Sequence, residues 1–439
     1  MLRTLPGPGN ILQKQFPNGV TVLIHENPWS STAALCGSLP AGYGLDALAK
    51  PGVSAFVSSA LMAGTRTRTF EQVGDFLDSI GAVLTFSTDP DVIRFNGNCL
   101  CEDLPDLLVL LKEILDKSAF PEHCLEVLRC QALGGYDEDD HEDGAYMSFK
   151  GILWGQNHPY GRIKEGMNED IRNITRDDLV NFHKRFFGPK DLIISLSGGF
   201  RGREIMDRCE EIFGSWDKTQ EDVDEDGLFA EAIGEDCECI IFHLDLPERK
   251  EVSLVMGTFG PAGGDSDLLP LQIGNSIFGG FELTDRIGQV IREKHGLAYS
   301  VCSALDPWKK GGCWSVAAGI DPANLEKAGG LILDEIRRFT AEPVSPQELE
   351  DARSRYIARL PLSFEDNACM ALGIYRLAFY HRDIDYWLRA PERAGRITPA
   401  SLLETVRKWI DPGKLVIITA GPRDGDKANT FWWPPVYSE

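Results

Sequence analysis

Six carboxylates and one imidazole stand side by side in Asp137-Glu138-Asp139-Asp140-His141-Glu142-Asp143. All are metal-ligating side chains. The run lacks the glycine-spaced alternation of a calcium loop, and consecutive residues cannot all turn toward one ion. It reads as a solvated loop, with adventitious divalent binding as the alternative. Cysteine offers a second metal chemistry, since the eleven cysteines include two Cys-x-Cys pairs, Cys99/Cys101 and Cys237/Cys239. Along a strand each pair falls on one face, and it reads as two packed, small apolar side chains. Nucleophilic chemistry has little support. No Gly-x-Ser-x-Gly occurs, and nothing ties the Ser58-Ser59 pair to a histidine. The glycine-rich stretches at 260–264 and 279–280 are followed by no Gly-Lys-Ser/Thr, so they are turns rather than phosphate loops.

The elements that would position any site come in two sets. Ile174-Thr175-Arg176-Asp177-Asp178-Leu179 returns as Ile397-Thr398-Pro399-Ala400-Ser401-Leu402, 223 positions later. After each copy come a helical stretch, a proline (Pro189, Pro412) and an apolar strand ending in glycine (Gly198, Gly421). Earlier, Gly37-Ser38-Leu39-Pro40-Ala41-Gly42 is matched by the segment 257–263. Several matches at a nearly constant offset imply two copies of one domain. Each copy opens with two strands, at 20–24 and 32–39, then at 240–244 and 252–259. A helix follows at 53–62 and at 268–278. A second helix spans Thr69 to Ile80 in the first copy and 283–295, closed by Gly296, in the second. Further strands are expected at 83–87 and 92–98, then a helix at 104–115. This irregular alternation predicts an α+β fold: two homologous lobes, each a mainly antiparallel sheet flanked by helices. The expected organisation is an N-terminal lobe at 1–216, an acidic linker at 217–238 and a C-terminal lobe at 239–439.

Composition narrows the class. The 439 residues carry a net charge of −23, with 43% apolar and 25% charged residues, which excludes disorder for most of the chain and argues against a nucleic-acid surface. Ten acids and one lysine fall in 217–238, hence the linker assignment. No run of eighteen apolar residues offers a membrane span, and residues 1–16 hold no apolar signal core. With an odd number of cysteines in no disulfide-type spacing, the expected location is the cytoplasm.

The chain resembles the pitrilysin/insulinase-type zinc peptidases, especially the bacterial members like the mitochondrial processing peptidase. The resemblance runs through Phe16-Pro17-Asn18-Gly19-Val20, the stretch from Gly52 to Gly64-Thr65, His158-Pro159-Tyr160-Gly161, the Ile174 segment, and Arg292-Glu293-Lys294-His295-Gly296-Leu297-Ala298-Tyr299. The family's helix carries His-x-x-Glu-His: two imidazoles on one face bind zinc, and the glutamate activates water. Here the histidine positions hold Ala55 and Ser59, and the base position holds Ser58. The third-ligand region falls at Gly134 and Gly135, without a carboxylate. The resemblance therefore implies no metal in this chain. It also implies a catalytic role for Arg292 and Tyr299, which have the spacing of the family's arginine and tyrosine. In the family these face the zinc site across a closed chamber, where they bind substrate and stabilise the oxyanion. Val83, Leu84 and Thr85 align with the edge strand that pairs with the peptide.

The reading that follows is the non-zinc-binding subunit of a heterodimeric metallopeptidase, inactive as an isolated chain. Zinc is expected in a paralogous partner bearing His-x-x-Glu-His, and the substrates are peptides. The competing reading is a structural or interaction protein of the same fold, with no peptidase role.

Overall fold

The computed structural model describes residues 5–135, 141–164, 166–229, 239–280 and 285–422. Its strands are β1 (Ile11–Gln15), β2 (Thr21–Glu26), β3 (Thr32–Leu39), β4 (Val83–Thr88), β5 (Ile93–Leu100), β6 (Ile193–Gly198), β7 (Ile240–Asp245), β8 (Val252–Gly260), β9 (Ala298–Pro307), β10 (Gly312–Ile320) and β11 (Val416–Gly421). They form two sheets, ordered β1-β2-β6-β3-β5-β4 and β7-β11-β8-β10-β9. Apart from β1, the first order maps strand for strand onto the second. The one parallel pair also recurs in place, as β2 with β6 and β7 with β11. All other pairings are antiparallel. The repeated Ile-Thr segment is a repeated helix start. Thr175 caps Arg176–Phe186 by accepting the Asp178 amide, and Thr398 caps Pro399–Trp409 by accepting the Ser401 amide. The fold is α+β, with two mostly antiparallel sheets flanked by helices.

The two compact units are not the two halves of the chain. One unit joins Met1–Tyr136 and Arg162–Leu228 to Arg359–Arg389; the other joins Asp137–Gly161 to Phe229–Ala358 and Ala390–Glu439. Each sheet is apolar on both faces, so it needs helical cover on both. In the first unit, helices such as Leu104–Lys117 and Arg176–Phe186 cover one face, and the distant helix Asn367–Phe379 covers the other by packing on β3, β6 and β2. Tyr375 and Phe379 are buried there against Ala34 and Cys36, and Ser195 Oγ donates to the Ala371 carbonyl at 2.7 Å. In the second unit the equivalent cover is His141–Trp154, whose Ala145, Phe149 and Leu153 lie on β8 and β11. Gly257 of β8 admits the Phe149 ring: a Cβ there would stand 2.6 Å from it. The turn after this helix buries Tyr160, which stacks on Trp308 and accepts the Lys310 amide at 2.9 Å.

Two expectations change at this level. The acidic stretch 217–238 begins as a strap rather than a free linker. Trp216 donates to Asp116 at 3.0 Å and Lys218 Nζ to the His183 carbonyl at 3.2 Å. Arg185 grips both oxygens of Glu221, and Lys190 pairs with Asp222. A short helix, Glu225–Leu228, follows, and 230–238 lie outside the described residues. Of the acidic run 137–143, residues 137–140 lie outside the described residues, while 141–143 start the helix His141–Trp154 instead of continuing a loop. Among the described residues no helix is long and apolar enough to cross a membrane.

Candidate functional site

The helix Val53–Ala60 starts without a side-chain cap of its own, because its N-cap, Gly52 at φ +82°, has no side chain. Asp46 supplies the missing acceptor from six residues upstream. Its carboxylate takes the Gly52 amide at 2.9 Å, the Ser54 amide at 3.1 Å and the Ser54 hydroxyl at 3.2 Å. Burial pushes the Asp46 carboxyl up to about 7, against the opposing pull of those donors and of Arg162. Sequence reasoning missed this residue; the signal was an acid placed six positions before a helix-opening glycine.

This group has a measurable consequence. Below its ordinary value of 3.8 both folded and unfolded chains carry the Asp46 proton; between there and about 7 only the folded chain does. Its contribution therefore falls as pH rises through that window. Urea midpoints measured near pH 5 and near pH 8 are expected to differ less in Asp46→Asn than in the wild type. An equal pH dependence in both proteins would show that the proton is not held.

Ala55 and Ser59 share a face of the helix Val53–Ala60, as a pair four residues apart must. Ala55 is buried and Ser59 is exposed. Ser58 is buried, and its hydroxyl donates to the Ala55 carbonyl at 2.9 Å, which ties it into the helix. The helix Glu122–Gly135 packs on the same element and ends in Gly134 and Gly135; a Cβ at Gly134 would meet nothing within 4 Å. The helix Val53–Ala60 also contacts β4, the free edge of its sheet. On β4 Val83 is 53% exposed, Leu84 is buried and Thr85 is exposed, its hydroxyl donating to the Asn96 carbonyl at 3.4 Å. The helix that carries Ala55, Ser58 and Ser59 thus packs against both the helix that ends in Gly134 and Gly135 and the edge strand. A methyl group, two hydroxyls and two glycines do not fit a zinc ion. Among the described residues no group of three or more His, Cys, Asp or Glu side chains could hold a metal.

Arg292 and Tyr299 lie in the second unit, and both sit on irregular backbone. The expected α-helix at 283–295 is instead a π-helix, Gly288–Lys294, preceded by 281–284 outside the described residues. The wider π turn is rare and is found frequently at functional sites. Gly296 ends it at φ +59°, donating its amide to the Arg292 carbonyl, and Leu297 returns to the Ile291 carbonyl. Arg292 Nε donates to Glu293 Oε1 at 3.1 Å. Tyr299 follows at the start of β9, the edge strand of its sheet. There Ala318 pairs with Val301 but Ile320 pairs with Ala298, so Tyr299 and Ser300 together oppose Gly319 in a β-bulge. Bulges re-aim side chains, and Tyr299 is 94% exposed. A guanidinium on a π turn and an exposed phenol in a β-bulge thus stand seven residues apart, and both are hydrogen-bond donors.

Known proteins are similar to this chain in sequence and in fold. Residues 21–146 match the family model described as insulinase (peptidase family M16), and residues 173–356 match the one described as the peptidase M16 inactive domain. An uncharacterized zinc protease of Rickettsia bellii is 25% identical over 361 residues, 81% of this chain and 84% of that protein. The uncharacterized zinc protease YmxG of Bacillus subtilis is 24% identical over 355 residues, 79% of this chain and 83% of that protein. Among solved structures, a peptidase M16 inactive domain from Pseudomonas fluorescens has the same fold, with a TM-score of 0.86 at 22% identity, covering 94% of this chain and 98% of that one. A protease from Helicobacter pylori also gives 0.86, at 16% identity, covering 95% and 100%.

Proposed function

Because this chain belongs to the M16 insulinase family, the pitrilysin-type peptidases, we propose that it is the non-zinc-binding subunit of a two-subunit metallopeptidase. One contrast carries the reading. The ligand positions Ala55, Ser58, Ser59 and Gly134/Gly135 hold no imidazole or carboxylate, while Tyr299, seven residues after Arg292, stays exposed on a bulged edge strand. A chain that served only as scaffold would gain nothing from an exposed phenol on a bulged edge strand.

In this reading the metal and the general base belong to a paralogous partner bearing His-x-x-Glu-His, where zinc activates the attacking water. This chain takes no metal step. Arg292 and Tyr299 donate hydrogen bonds to the peptide carbonyl and to the oxyanion that forms from it. The free edge β4 gives an extended peptide a backbone to pair with, through Val83, Leu84 and Thr85.

The test is affinity purification of the tagged chain from its own cells. The expected result is a co-purifying subunit of similar length with His-x-x-Glu-His, and chelator-sensitive hydrolysis of an unstructured peptide by the complex. The isolated chain should hold no stoichiometric zinc after dialysis and should cleave nothing. One zinc per isolated chain, or chelator-sensitive cleavage by it alone, would overturn the proposal.

A further inference from the structure

The π turn that carries Arg292 needs holding, because its hydrogen-bond pattern is rarely stable by itself. At its exit the Gly296 turn does this. At its entrance stands Arg286, six residues before Arg292. Its guanidinium makes a two-pronged bond to Glu348, Nε to Oε1 at 2.8 Å and Nη2 to Oε2 at 3.1 Å. A second carboxylate, Glu335, lies 3.7 Å from Nη1 and accepts from Arg338 at 2.9 Å. The Arg286 guanidinium also lies over the Phe339 ring, 5.7 Å from its centroid. Glu335 and Phe339 belong to the helix Leu325–Ala341, which packs against the π turn.

Glu348 is itself fixed. The Ser345 amide donates to its Oε2 at 2.8 Å, and its own amide returns to the Ser345 hydroxyl at 3.2 Å. That reciprocal pair is a capping box at the start of Pro346–Arg359. Burial opposes its charge, yet Arg286 and Ser345 outweigh burial and hold the carboxyl at about 2, so it is ionised wherever the protein is folded. Next to Arg286, Asp285 accepts the Gly288 amide at 2.7 Å, and Ile287 and Ile291 are fully buried. The turn is therefore clamped, just before its first residue, to the capped start of Pro346–Arg359.

We propose that Arg286 and Glu348 are positioning residues for the Arg292–Tyr299 pair: their fork fixes the π turn, which sets the bearing of Arg292 and the entry of the chain into the Tyr299 bulge. This rests on the function proposed above. If the clamp opened, the turn could relax toward α geometry, rotating Arg292 around the axis and shifting the chain that feeds β9.

The experiment uses Arg286→Lys, which keeps the charge but loses the fork, and Glu348→Gln, which keeps the cap but loses the charge. In the intact chain, amide hydrogen exchange at 288–297 is expected to speed up by about ten- to a hundredfold, the range that charge-assisted bonds give. Exchange in β8 and β11 should stay unchanged. In the peptidase complex the same variants should lower kcat by about ten- to a hundredfold through misplacement of the donors, with KM within about twofold. Unchanged exchange at 288–297 would overturn the inference. So would full kcat in both variants where Arg292→Ala destroys activity. Faster exchange together with full kcat in Arg292→Ala itself would instead overturn the catalytic reading of Arg292 and Tyr299, and leave the clamp as a purely structural device.

Discussion

In the proposed two-subunit peptidase, Arg292→Ala and Tyr299→Phe are each expected to lower kcat/KM by about 10²–10³-fold, the typical effect of removing one oxyanion donor. Tyr299→Phe leaves the fold intact. Tyr299 is 94% exposed, so removing its hydroxyl uncovers no core. Arg292 pairs with its own neighbour Glu293, whose side chain is exposed, and a pair of this kind contributes little to stability. The loss should appear chiefly in kcat, because donors aimed at an oxyanion act on a charge that exists only as the reaction proceeds. Subunit association should be unchanged. The measurement is steady-state hydrolysis of an unstructured peptide, with co-elution as the control for assembly. Full activity in both variants, with the complex intact, would leave the scaffold reading as the better one. The converse experiment is also expected to fail: His, Glu and His placed at Ala55, Ser58 and Ser59 should give no peptidase in the chain alone. Gly134 and Gly135 still supply no third ligand.

Much of the architecture was legible because it rests on local signals that repeat. The Thr caps at Thr175 and Thr398 mark helix starts in both copies, and the helix Leu268–Phe278 lies where its apolar pattern and flanking glycine put it. The strand at Val83 was expected to be an edge, and it is one. That Ala55, Ser58 and Ser59 carry no imidazole or carboxylate needs only residue identity. What escaped depends on contacts distant in sequence. Apolar strands such as β8 and β6 announce that both faces are buried, but not which helix buries them; His141–Trp154 and Asn367–Phe379 are exchanged between the halves of the chain. The π turn and the bulge each arise from one extra residue, and periodicity averaged over a helix or strand cannot detect a single insertion. Asp46, Arg286 and Glu348 were missed for a related reason. An isolated acid or arginine reads as surface until its partner, here 62 positions away for Arg286 and Glu348, is known.

That exchange of helices predicts that the chain cannot be divided at its acidic stretch. A fragment ending at Leu228 contains every strand of the first sheet but lacks Asn367–Phe379. The face of β3 and β6 around Ala34, Cys36 and Ile193 then loses Tyr375 and Phe379. Burying a large side chain contributes roughly 1.5–3 kcal/mol, so these two rings alone account for about 3–6 kcal/mol. A typical domain has only about 5–15 kcal/mol in total. The deficit grows with the lost polar contacts: Tyr375 donates to Ser38 at 2.8 Å, and Asn367 donates to Ser30 and to the Thr32 carbonyl at 2.8 and 2.9 Å. The same fragment retains His141–Trp154, whose Phe149, Leu153 and Trp154 have no sheet to cover, and exposed apolar helices of this kind drive aggregation. The fragment 1–228 is therefore expected to lack a cooperative urea transition and to bind a hydrophobic dye. Appending residues 359–389 through a flexible linker should restore the transition. A single cooperative transition in 1–228, with the midpoint of the full chain, would mean that the distant helix is decoration rather than half of the cover on that sheet.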